Sequence, residues 1–288
     1  MTAKILDGRA TAKAIEQEIA KDVEDFEKAH GWAPGIAVIQ LGEDPAAAWY
    51  VRQIKRHFID AGMRFALHTL AETTDQETLA ARMEELNGNP RTNGVIVQLP
   101  LPDHLSQEAV VNMLDPAKDV DGMHPLNAGR LMQQRENALI PATPAGGMEL
   151  LRRYDIPLKG ARAVMVGRSN IVGRPMALLM LHQHATVTIC HSRTEDLAAI
   201  TRQADILAVA VGKPGMIGGD MIRPGAVVID YGVNVIDDEL FGDVDTEAAK
   251  EVAAYLTPVP GGTGPMTNAM LMRNTVIAAR RQTAESAL

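Results

Sequence analysis

Short apolar segments alternate with longer amphipathic ones along most of the chain, and this alternation constrains the fold more than any other feature. In the first half it predicts helices over 9–30, 45–61 and 76–86 and strands over 35–41, 64–70 and 94–98. Ile15, Ile19, Val23 and Phe26, for example, recur at the three- and four-residue spacing of a helix face. Strands that alternate with helices predict a parallel sheet with crossover connections.

The alternation restarts after Gly160. It predicts strands over 163–166, 186–190, 205–211 and 226–230, helices from 173 and over 197–202, and a last helix after Pro265. This is the pattern of a doubly wound nucleotide-binding domain. The segment from 99 to about 145 carries many Pro, Gly and Asn residues, so we expect loops there rather than regular elements.

A length of 288 residues favours two domains. We therefore predict an α/β protein made of two α/β domains with a catalytic cleft between them. The first domain would span 1–142 and the second, a Rossmann-like domain, 143–265. The C-terminal helix, 266–288, would pack back on the first domain.

Composition bears on the partners and the location of the protein. The formal net charge is −8 and only ten residues are Phe, Trp or Tyr, so neither nucleic acid nor a membrane surface is an expected partner. The longest apolar stretches, such as 205–211, are too short to span a bilayer, and no secretory signal is recognisable. The single cysteine, Cys190, forms no intrachain disulfide, which favours the cytoplasm. We expect Cys190 to pack as a small apolar residue, and we assign no metal site.

The turn after the strand that ends at Val166 has the composition of a dinucleotide-binding loop. Its sequence is Gly167-Arg168-Ser169-Asn170-Ile171-Val172-Gly173-Arg174-Pro175, followed by an apolar helix. Two glycines six residues apart do not match the usual G-x-G-x-x-G spacing. Glycine nevertheless allows the backbone to approach a pyrophosphate closely at the N terminus of a helix. The alternative is an ordinary glycine-rich turn.

The end of the next strand favours NADP over NAD. The strand ends in Cys190-His191-Ser192-Arg193-Thr194, with no carboxylate before Glu195. NAD enzymes usually have an acidic side chain here for the ribose hydroxyls, whereas NADP enzymes supply positive charge for the extra phosphate. Arg168, His191, Ser192 and Arg193 are candidates to surround that phosphate. In the alternative interpretation, His191 only caps the strand and Arg193 is only solvated.

Four further strings carry a family resemblance. They are Gln98-Leu99-Pro100-Leu101-Pro102, Lys118-Asp119-Val120-Asp121-Gly122, Val211-Gly212-Lys213-Pro214-Gly215, and the segment 257–267, which reads TPVPGGTGPMT. Each string alone is compatible with a structural loop. In this order, with 167–175 between the second and the third, they closely resemble the bifunctional methylenetetrahydrofolate dehydrogenase/methenyltetrahydrofolate cyclohydrolase family over nearly the whole chain.

The resemblance implies a homodimer that oxidises methylenetetrahydrofolate to methenyltetrahydrofolate with NADP, the folate lying in the interdomain cleft. Loss of hydride requires no proton transfer, so binding and orientation would supply most of the catalysis. Tyr50 would stack on the folate aromatic ring and Asp121 would hold the pterin amino groups. The implied substrate-binding residues are Tyr50, Gln98, Leu99, Pro100, Asp121, Pro260, Gly261 and Gly262. The implied cofactor-binding residues are Gly167, Arg168, Ser169, Ile171, Val172, Gly173, His191, Ser192, Arg193, Val211, Gly212, Lys213, Pro214, Gly232, Asn234 and Thr263.

Ile54 is the main departure from the family pattern. In the family, a lysine four residues after the tyrosine and hydrogen-bonded to the glutamine of the Gln-Leu-Pro string serves the cyclohydrolase step. Here the tyrosine is Tyr50 and the residue four positions later is Ile54, which neither titrates nor forms hydrogen bonds. With Tyr50, Gln98, Asp121 and Ile54 as the catalytic positions, we predict a dehydrogenase whose cyclohydrolase activity is lost or weak. A separate cyclohydrolase would then act on the product.

Two neighbouring side chains are candidates to replace the lysine. Lys55 lies about 140° from Tyr50 around a helix, so we expect it to face solvent. His57 returns to within about 20° of Tyr50 but lies roughly 10 Å further along the axis. It would act as a base or, alternatively, be a satisfied residue facing a neighbouring domain or chain.

Other departures from the family pattern leave further interpretations open. They are Ala46-Ala47-Ala48-Trp49 before the tyrosine, Met123, Tyr231 and Thr263. They indicate altered chemistry, a modified pterin carrier, or packing changes without effect on catalysis. The alternatives to the predicted function are a fully bifunctional enzyme and, from a different class, a non-catalytic folate or nucleotide binder.

Overall fold

The computed structural model describes residues 2–42, 44–237 and 239–285. In chain order its first half contains β1 (Lys4–Ile5), α1 (Gly8–His30), β2 (Gly35–Leu41), α2 (Pro45–Asp60), β3 (Arg64–Leu70), α3 (Gln76–Gly88), β4 (Gly94–Val97), α4 (Gln107–Met113) and α5 (Pro125–Met132). β2 lies between β3 and β4 and is parallel to both. The helices and strands predicted before position 99 are confirmed, each with ends within two residues of the predicted ones.

The second half contains the larger sheet. Its elements are α6 (Ala142–Arg153), β5 (Arg162–Val166), α7 (Gly173–His182), β6 (Thr186–Cys190), α8 (Leu197–Thr201), β7 (Ile206–Val209), β8 (Val227–Asp230), β9 (Asn234–Ile236), β10 (Glu239–Phe241), α9 (Thr246–Val252), β11 (Tyr255–Leu256) and α10 (Thr263–Glu285). A parallel six-stranded sheet has the order β1-β11-β8-β7-β5-β6, and β9 and β10 form an antiparallel hairpin. Because β6 and β7 flank β5 on opposite sides, the chain reverses its winding direction there. The predicted doubly wound topology is confirmed.

Contacts divide the chain into two compact units. One, the Rossmann-like unit, contains residues 1–13 and 141–270, and the other, the N-terminal unit, contains 14–140 and 271–288. This division differs from the predicted one at both ends of the chain. Residues 1–13 group with the Rossmann-like unit because β1 pairs with β11, and the boundary after Met270 falls inside α10 rather than at its start.

The expectation of loops throughout 99–145 is wrong, because α4, α5 and the start of α6 lie there. α4 follows Ser106, whose side chain accepts a hydrogen bond from the amide of Ala109 at 3.2 Å. α5 follows His124, whose ring nitrogen accepts from the amide of Leu126 at 3.0 Å, with Pro125 at the first helical position. These helices of seven and eight residues are too short to produce a clear periodic pattern.

The apolar face predicted for the first helix is buried. Ile15, Ile19, Val23 and Phe26 of α1 are each at most 3% exposed. In the Rossmann-like unit, alternate residues of β5, β7 and β8 enter two apolar clusters on opposite faces of the sheet. Among the described residues, no helix combines the length and the apolarity needed to cross a bilayer.

Candidate active site

α2 carries the two residues on which the functional prediction depends. Tyr50 is half-buried, and Ile54, one turn later, is completely buried. Val51 and Phe58 are buried on the same side, so Ile54 belongs to the core-facing stripe of the helix. Burial, and then the negative charge of Asp121, raises the pKa of the Tyr50 hydroxyl well above its ordinary value. Tyr50 and Asp121 therefore lie close enough to interact electrostatically.

Asp121 lies in a loop that a second carboxylate holds in place. Asp119 is completely buried and accepts hydrogen bonds from the amides of Met123 (2.9 Å) and His124 (2.8 Å) and from Nδ2 of Asn127 (2.8 Å). Burial, and then the charge of Asp119, raises the pKa of Asp121 to about 7. Asp121 therefore changes its protonation state near neutral pH.

Lys118, the first residue of the same string, has a structural role that the sequence analysis missed. Its Nζ donates to the carbonyls of Leu86 (2.9 Å), Asn87 (2.6 Å) and Asn89 (2.8 Å) at the C-terminal end of α3. The side chain is buried, which lowers the pKa of Lys118. A lysine close to the C-terminal end of a helix satisfies carbonyls that have no intrahelical partner. Only the fold reveals this partnership, because α3 and Lys118 are distant in sequence.

The Gln98-Leu99-Pro100 string follows β4 and borders a pocket. Nε2 of Gln98 donates to the carbonyl of Leu99 at 3.1 Å, and the Leu99–Pro100 peptide bond is cis. The pocket is lined mainly by aliphatic side chains of β4 and α4, together with Leu99, Asp121 and Met123. The structure thus places two of the predicted substrate-binding residues, Leu99 and Asp121, around one cavity. Met123, a departure from the family pattern, lines it too.

The candidate replacements for the family lysine are not equivalent. Lys55 is exposed, as predicted. Nδ1 of His57 lies 2.9 Å from Oε1 of Glu16 on α1, and the His57 side chain is only 20% exposed. His57 is therefore a satisfied residue with a carboxylate partner, and only its second ring nitrogen is available for other contacts.

The turn between β5 and α7 requires its two glycines. Gly167 has φ +120°, and a Cβ there would lie 2.1 Å from the carbonyl oxygen of Ala210. A Cβ on Gly173 would lie 2.5 Å from the carbonyl oxygen of Gly167. Oγ of Ser169 accepts from the amides of Val172 and Gly173, each at 3.2 Å, and so holds the start of α7. The turn lies at the carboxyl end of β5, the point of a doubly wound sheet where ligands bind.

The residues after β6 form a tight turn. The amide of His191 donates to Oγ1 of Thr194 (2.8 Å), and the amide of Arg193 donates to Nδ1 of His191 (3.2 Å). Ser192, Arg193 and Arg168 are exposed. In the described part of the chain, neither arginine forms an ion pair. Both guanidinium groups are therefore free to meet an anion, whereas one His191 nitrogen is used inside the turn.

Two further predicted cofactor segments meet at a carboxylate that the sequence analysis missed. The amides of Val211, Gly212 and Lys213 and the side-chain amide of Asn234 all donate to Asp243. Asp243 is completely buried. Pro214 continues the first segment, Gly232 begins the second, and Ile171 and Val172 lie in the turn before α7. No motif in the sequence singles out Asp243.

The Pro-Gly-Gly string belongs to the Rossmann-like unit. Pro260 follows a cis peptide bond, and the carbonyl of Gly261 accepts from the amide of Arg9 at 3.1 Å. A Cβ on Gly8 would overlap the carbonyl oxygen of Gly262, so the first turn of α1 packs directly against the string. Thr263, expected at the cofactor, is 5% exposed and donates its hydroxyl to the carbonyl of Asp230 at 2.9 Å.

Tyr231 and Trp49, which depart from the family pattern, differ in burial, and Cys190 is buried like Tyr231. Tyr231 is 8% exposed, and its hydroxyl lies 3.2 Å from Sδ of Met176 in the space left by the missing side chain of Gly147. It is a packing residue. Cys190 is completely buried, as expected, and burial raises the pKa of its thiol. Trp49, in contrast, is 56% exposed.

Comparison with known proteins identifies the family. Models of the tetrahydrofolate dehydrogenase/cyclohydrolase family match the catalytic domain over 6–121 and the NAD(P)-binding domain over 141–283. The chain belongs to this family. Bifunctional protein FolD of Herpetosiphon aurantiacus is 53% identical over 281 residues, which cover 97% of this chain and 98% of the relative.

Solved structures agree with this family over the whole fold. The bifunctional enzyme FolD from Campylobacter jejuni is 41% identical, with a TM-score of 0.95 over 97% of this chain and 99% of that one. The FolD structure from Trypanosoma brucei, in complex with NADP and an inhibitor, is 38% identical, with a TM-score of 0.94 over 98% and 99%. The catalytic-domain match includes Tyr50, Gln98 and Asp121, and the NAD(P)-binding match includes Gly167 and His191. No group of three or more His, Cys, Asp or Glu residues among those described is arranged to hold a metal ion.

Proposed function

We propose that this protein is an NADP-dependent methylenetetrahydrofolate dehydrogenase whose cyclohydrolase activity is lost or severely weakened. The observation that carries the proposal is Ile54, which is completely buried one turn after Tyr50. NADP fits the Rossmann-like unit because Arg168 and Arg193 are exposed and unpaired in the described chain, with His191 and Ser192 beside Arg193. Gly167 lets the backbone pass close to the carbonyl of Ala210 in the turn at the N terminus of α7, where a pyrophosphate would bind.

The dehydrogenase reaction needs orientation more than acid–base chemistry. When bound, NADP supplies the acceptor for the hydride. Tyr50 would stack on the aromatic ring of the folate, and the carboxylate of Asp121 would accept hydrogen bonds from the pterin. Leu99 and Pro100 would extend this binding surface within the N-terminal unit. Holding the reacting atoms near contact distance accounts for several kcal/mol of barrier reduction.

Cyclohydrolase chemistry needs a group that moves protons, and α2 offers none in the family position. Ile54 cannot titrate, and Gln98 donates its amide to the neighbouring carbonyl of Leu99. Lys55 faces solvent, and one nitrogen of His57 pairs with Glu16. Hydrolysis of the methenyl product would therefore proceed slowly on this protein, and a separate cyclohydrolase would complete the conversion.

The second candidate is a fully bifunctional enzyme that also forms formyltetrahydrofolate. Two observations favour it. The 53% identical relative bears the name of a bifunctional protein. The Glu16–His57 pair is also an arrangement in which a carboxylate orients an imidazole whose other nitrogen accepts a proton. A non-catalytic binder is a third candidate, which the same experiment separates from both.

The deciding experiment follows the purified protein with methylenetetrahydrofolate and NADP. NADPH and the methenyl chromophore are recorded together, with NAD as the comparison cofactor. Equal amounts of both products, with the methenyl species decaying at the buffer rate, are the expected result. NADPH without methenyl accumulation would instead establish the bifunctional enzyme, and a His57→Ala variant would then identify its base. Binding without NADPH formation would leave only the non-catalytic binder.

We further propose that the protein is a homodimer and that the β9–β10 hairpin contributes to its interface. The hairpin and the residue before it expose five apolar side chains: Val233 (65%), Val235 (68%), Ile236 (44%), Leu240 (38%) and Phe241 (41%). An exposed apolar cluster of this kind favours a protein partner. Sedimentation analysis should give twice the chain mass, and a monomer for Val235→Glu. We also propose a cytoplasmic location, which the single cysteine favours. The net charge of −8 supports the absence of nucleic-acid and membrane partners.

A further inference from the structure

Four hydrogen-bond donors converge on the carboxylate of Asp243. Oδ2 accepts from the amides of Val211 (2.6 Å) and Gly212 (3.0 Å). Oδ1 accepts from the amide of Lys213 (2.8 Å) and from Nδ2 of Asn234 (3.0 Å). Asp243 is completely buried. Four donors compensate a buried carboxylate for the water that it loses. The same bonds fix the backbone of the 211–213 segment and the position of the Asn234 side chain.

Asp243 is itself held by a second buried carboxylate. Oδ1 of Asp230 accepts from the amides of Gly232 (2.7 Å) and Asp243 (3.1 Å), and Oδ2 accepts from the amide of Val244 (2.9 Å). The amide of Asp230 donates to Oγ1 of Thr257 at 2.7 Å. The end of β8, the segment after it and the segment after β10 are therefore parts of one hydrogen-bond network. Displacement of one part affects the others.

Glycines allow this network to form and leave one side of it open. A Cβ on Gly232 would lie 2.2 Å from the amide nitrogen of Asp243, so only glycine permits the close approach. Gly212 has φ +65°, and no atom lies within 4 Å of the position of its missing Cβ. The 211–213 segment is thus fixed by Asp243 through its amides, whereas the Cβ side of Gly212 is unobstructed.

We propose that Asp243 is a positioning residue for the dinucleotide, which holds the 211–213 segment and the Gly232–Asn234 segment in the conformation that binds NADP. Asp243 acts through these segments and does not touch the cofactor. This role rests on the proposed use of NADP by the Rossmann-like unit. It assigns a function to a residue outside the cofactor-binding set that the sequence indicates.

Asp243→Asn tests the role directly. Whichever way the new amide is oriented, its NH2 group faces either the Val211 and Gly212 amides or the Lys213 and Asn234 donors. The NH2 group of the asparagine would then face N–H groups that also donate hydrogen bonds. The 211–213 segment or the Asn234 side chain must therefore move away from residue 243. We expect the dissociation constant for NADPH, measured by its fluorescence, to rise at least about tenfold, with the KM for the folate substrate changed less than about threefold.

Asp119→Asn is the matched control. Asp119 is also completely buried, and it accepts from two backbone amides and an asparagine side chain where Asp243 accepts from three amides and an asparagine side chain. It supports the Asp121 loop in the N-terminal unit. We expect this variant to raise the KM for folate and to leave NADPH binding within about twofold of the parent. The proposal is wrong if the two variants change the dissociation constant for NADPH and the KM for folate to the same extent. It is also wrong if Asp243→Asn binds NADPH normally.

Amide hydrogen exchange supplies a test that needs no variant. In the unmodified protein without nucleotide, the amides of 211–213 should exchange far more slowly than those of an unstructured peptide, because each donates to Asp243. Unprotected amides would overturn the proposal even if Asp243→Asn does not fold. Failure of the unmodified protein to bind NADPH would contradict the proposed function instead, and the exchange result distinguishes the two cases.

Discussion

Replacing Ile54 with lysine should restore methenyl hydrolysis at a measurable cost in stability. Ile54 is completely buried between Val51 and Phe58 on the core-facing stripe of α2. Burial of an isoleucine side chain contributes about 1.5–3 kcal/mol. The lysine stem recovers part of this contribution, but its ammonium group must lose water. We expect the free energy of unfolding to fall by roughly 2–4 kcal/mol, which corresponds to a decrease in Tm of about 5–15 °C.

The same substitution should raise the rate of hydrolysis. A positioned acid–base group contributes about 10²–10⁴ in rate, so the hydrolysis of methenyltetrahydrofolate by Ile54→Lys should rise at least about 100-fold. The decay of the methenyl chromophore measures this rate, and thermal unfolding measures the stability.

Ile54→Met is the control for the change of side chain. It stays apolar at similar volume, so it should cost less than about 1.5 kcal/mol and leave hydrolysis unchanged. The reasoning is refuted if folded Ile54→Lys protein oxidises methylenetetrahydrofolate but hydrolyses the product no faster than Ile54→Met.

Three further predictions concern other parts of the site. Because the pKa of Asp121 is raised to about 7 and its ionised form is the one proposed to accept pterin hydrogen bonds, kcat/KM for the folate should fall as the pH decreases through about 7. Asp121→Asn should lack this limb of the pH profile, and a profile unchanged by the substitution would contradict the assignment. Gly173→Ala should weaken NADPH binding at least about tenfold, since its Cβ would lie 2.5 Å from the carbonyl oxygen of Gly167; Gly129→Ala, on α5 with open space around it, should bind normally in the same titration. Lys118→Met should lower the free energy of unfolding by about 2–3 kcal/mol in denaturant titrations, because three carbonyls lose their donor. If folded Lys118→Met protein had a strongly reduced kcat with unchanged stability, Lys118 would have a catalytic role instead.

Long, regular patterns predict their elements well. The seven-residue run of β2 is confirmed with the same bounds, and the apolar stripe of α1 is buried as its spacing indicates. The reason is local, because a strand or an amphipathic helix repeats its signal over many residues. Glycines 167 and 173 are also recognisable in the sequence, and the structure shows that the backbone approaches both too closely for a side chain.

Short and irregular elements are not predictable in the same way. α4 and α5 lie in a segment rich in Pro, Gly and Asn, where we expect only loops. Their capping side chains, Ser106 and His124, are informative only when the helices are known. Similarly, the two-residue strand β1 has no pattern of its own, and its pairing with β11 assigns residues 1–13 to the Rossmann-like unit.

The sequence by itself determined the α/β alternation, the glycines of the nucleotide turn, the basic end of β6 and the presence of isoleucine at position 54. Only the tertiary structure decided that Ile54 is buried, that Lys118 caps α3, and that Asp119 and Asp243 each collect several donors. The physical reason is the range of the interactions. Periodicity and backbone strain arise among neighbours in the chain, whereas burial and converging hydrogen bonds depend on segments that meet only after folding.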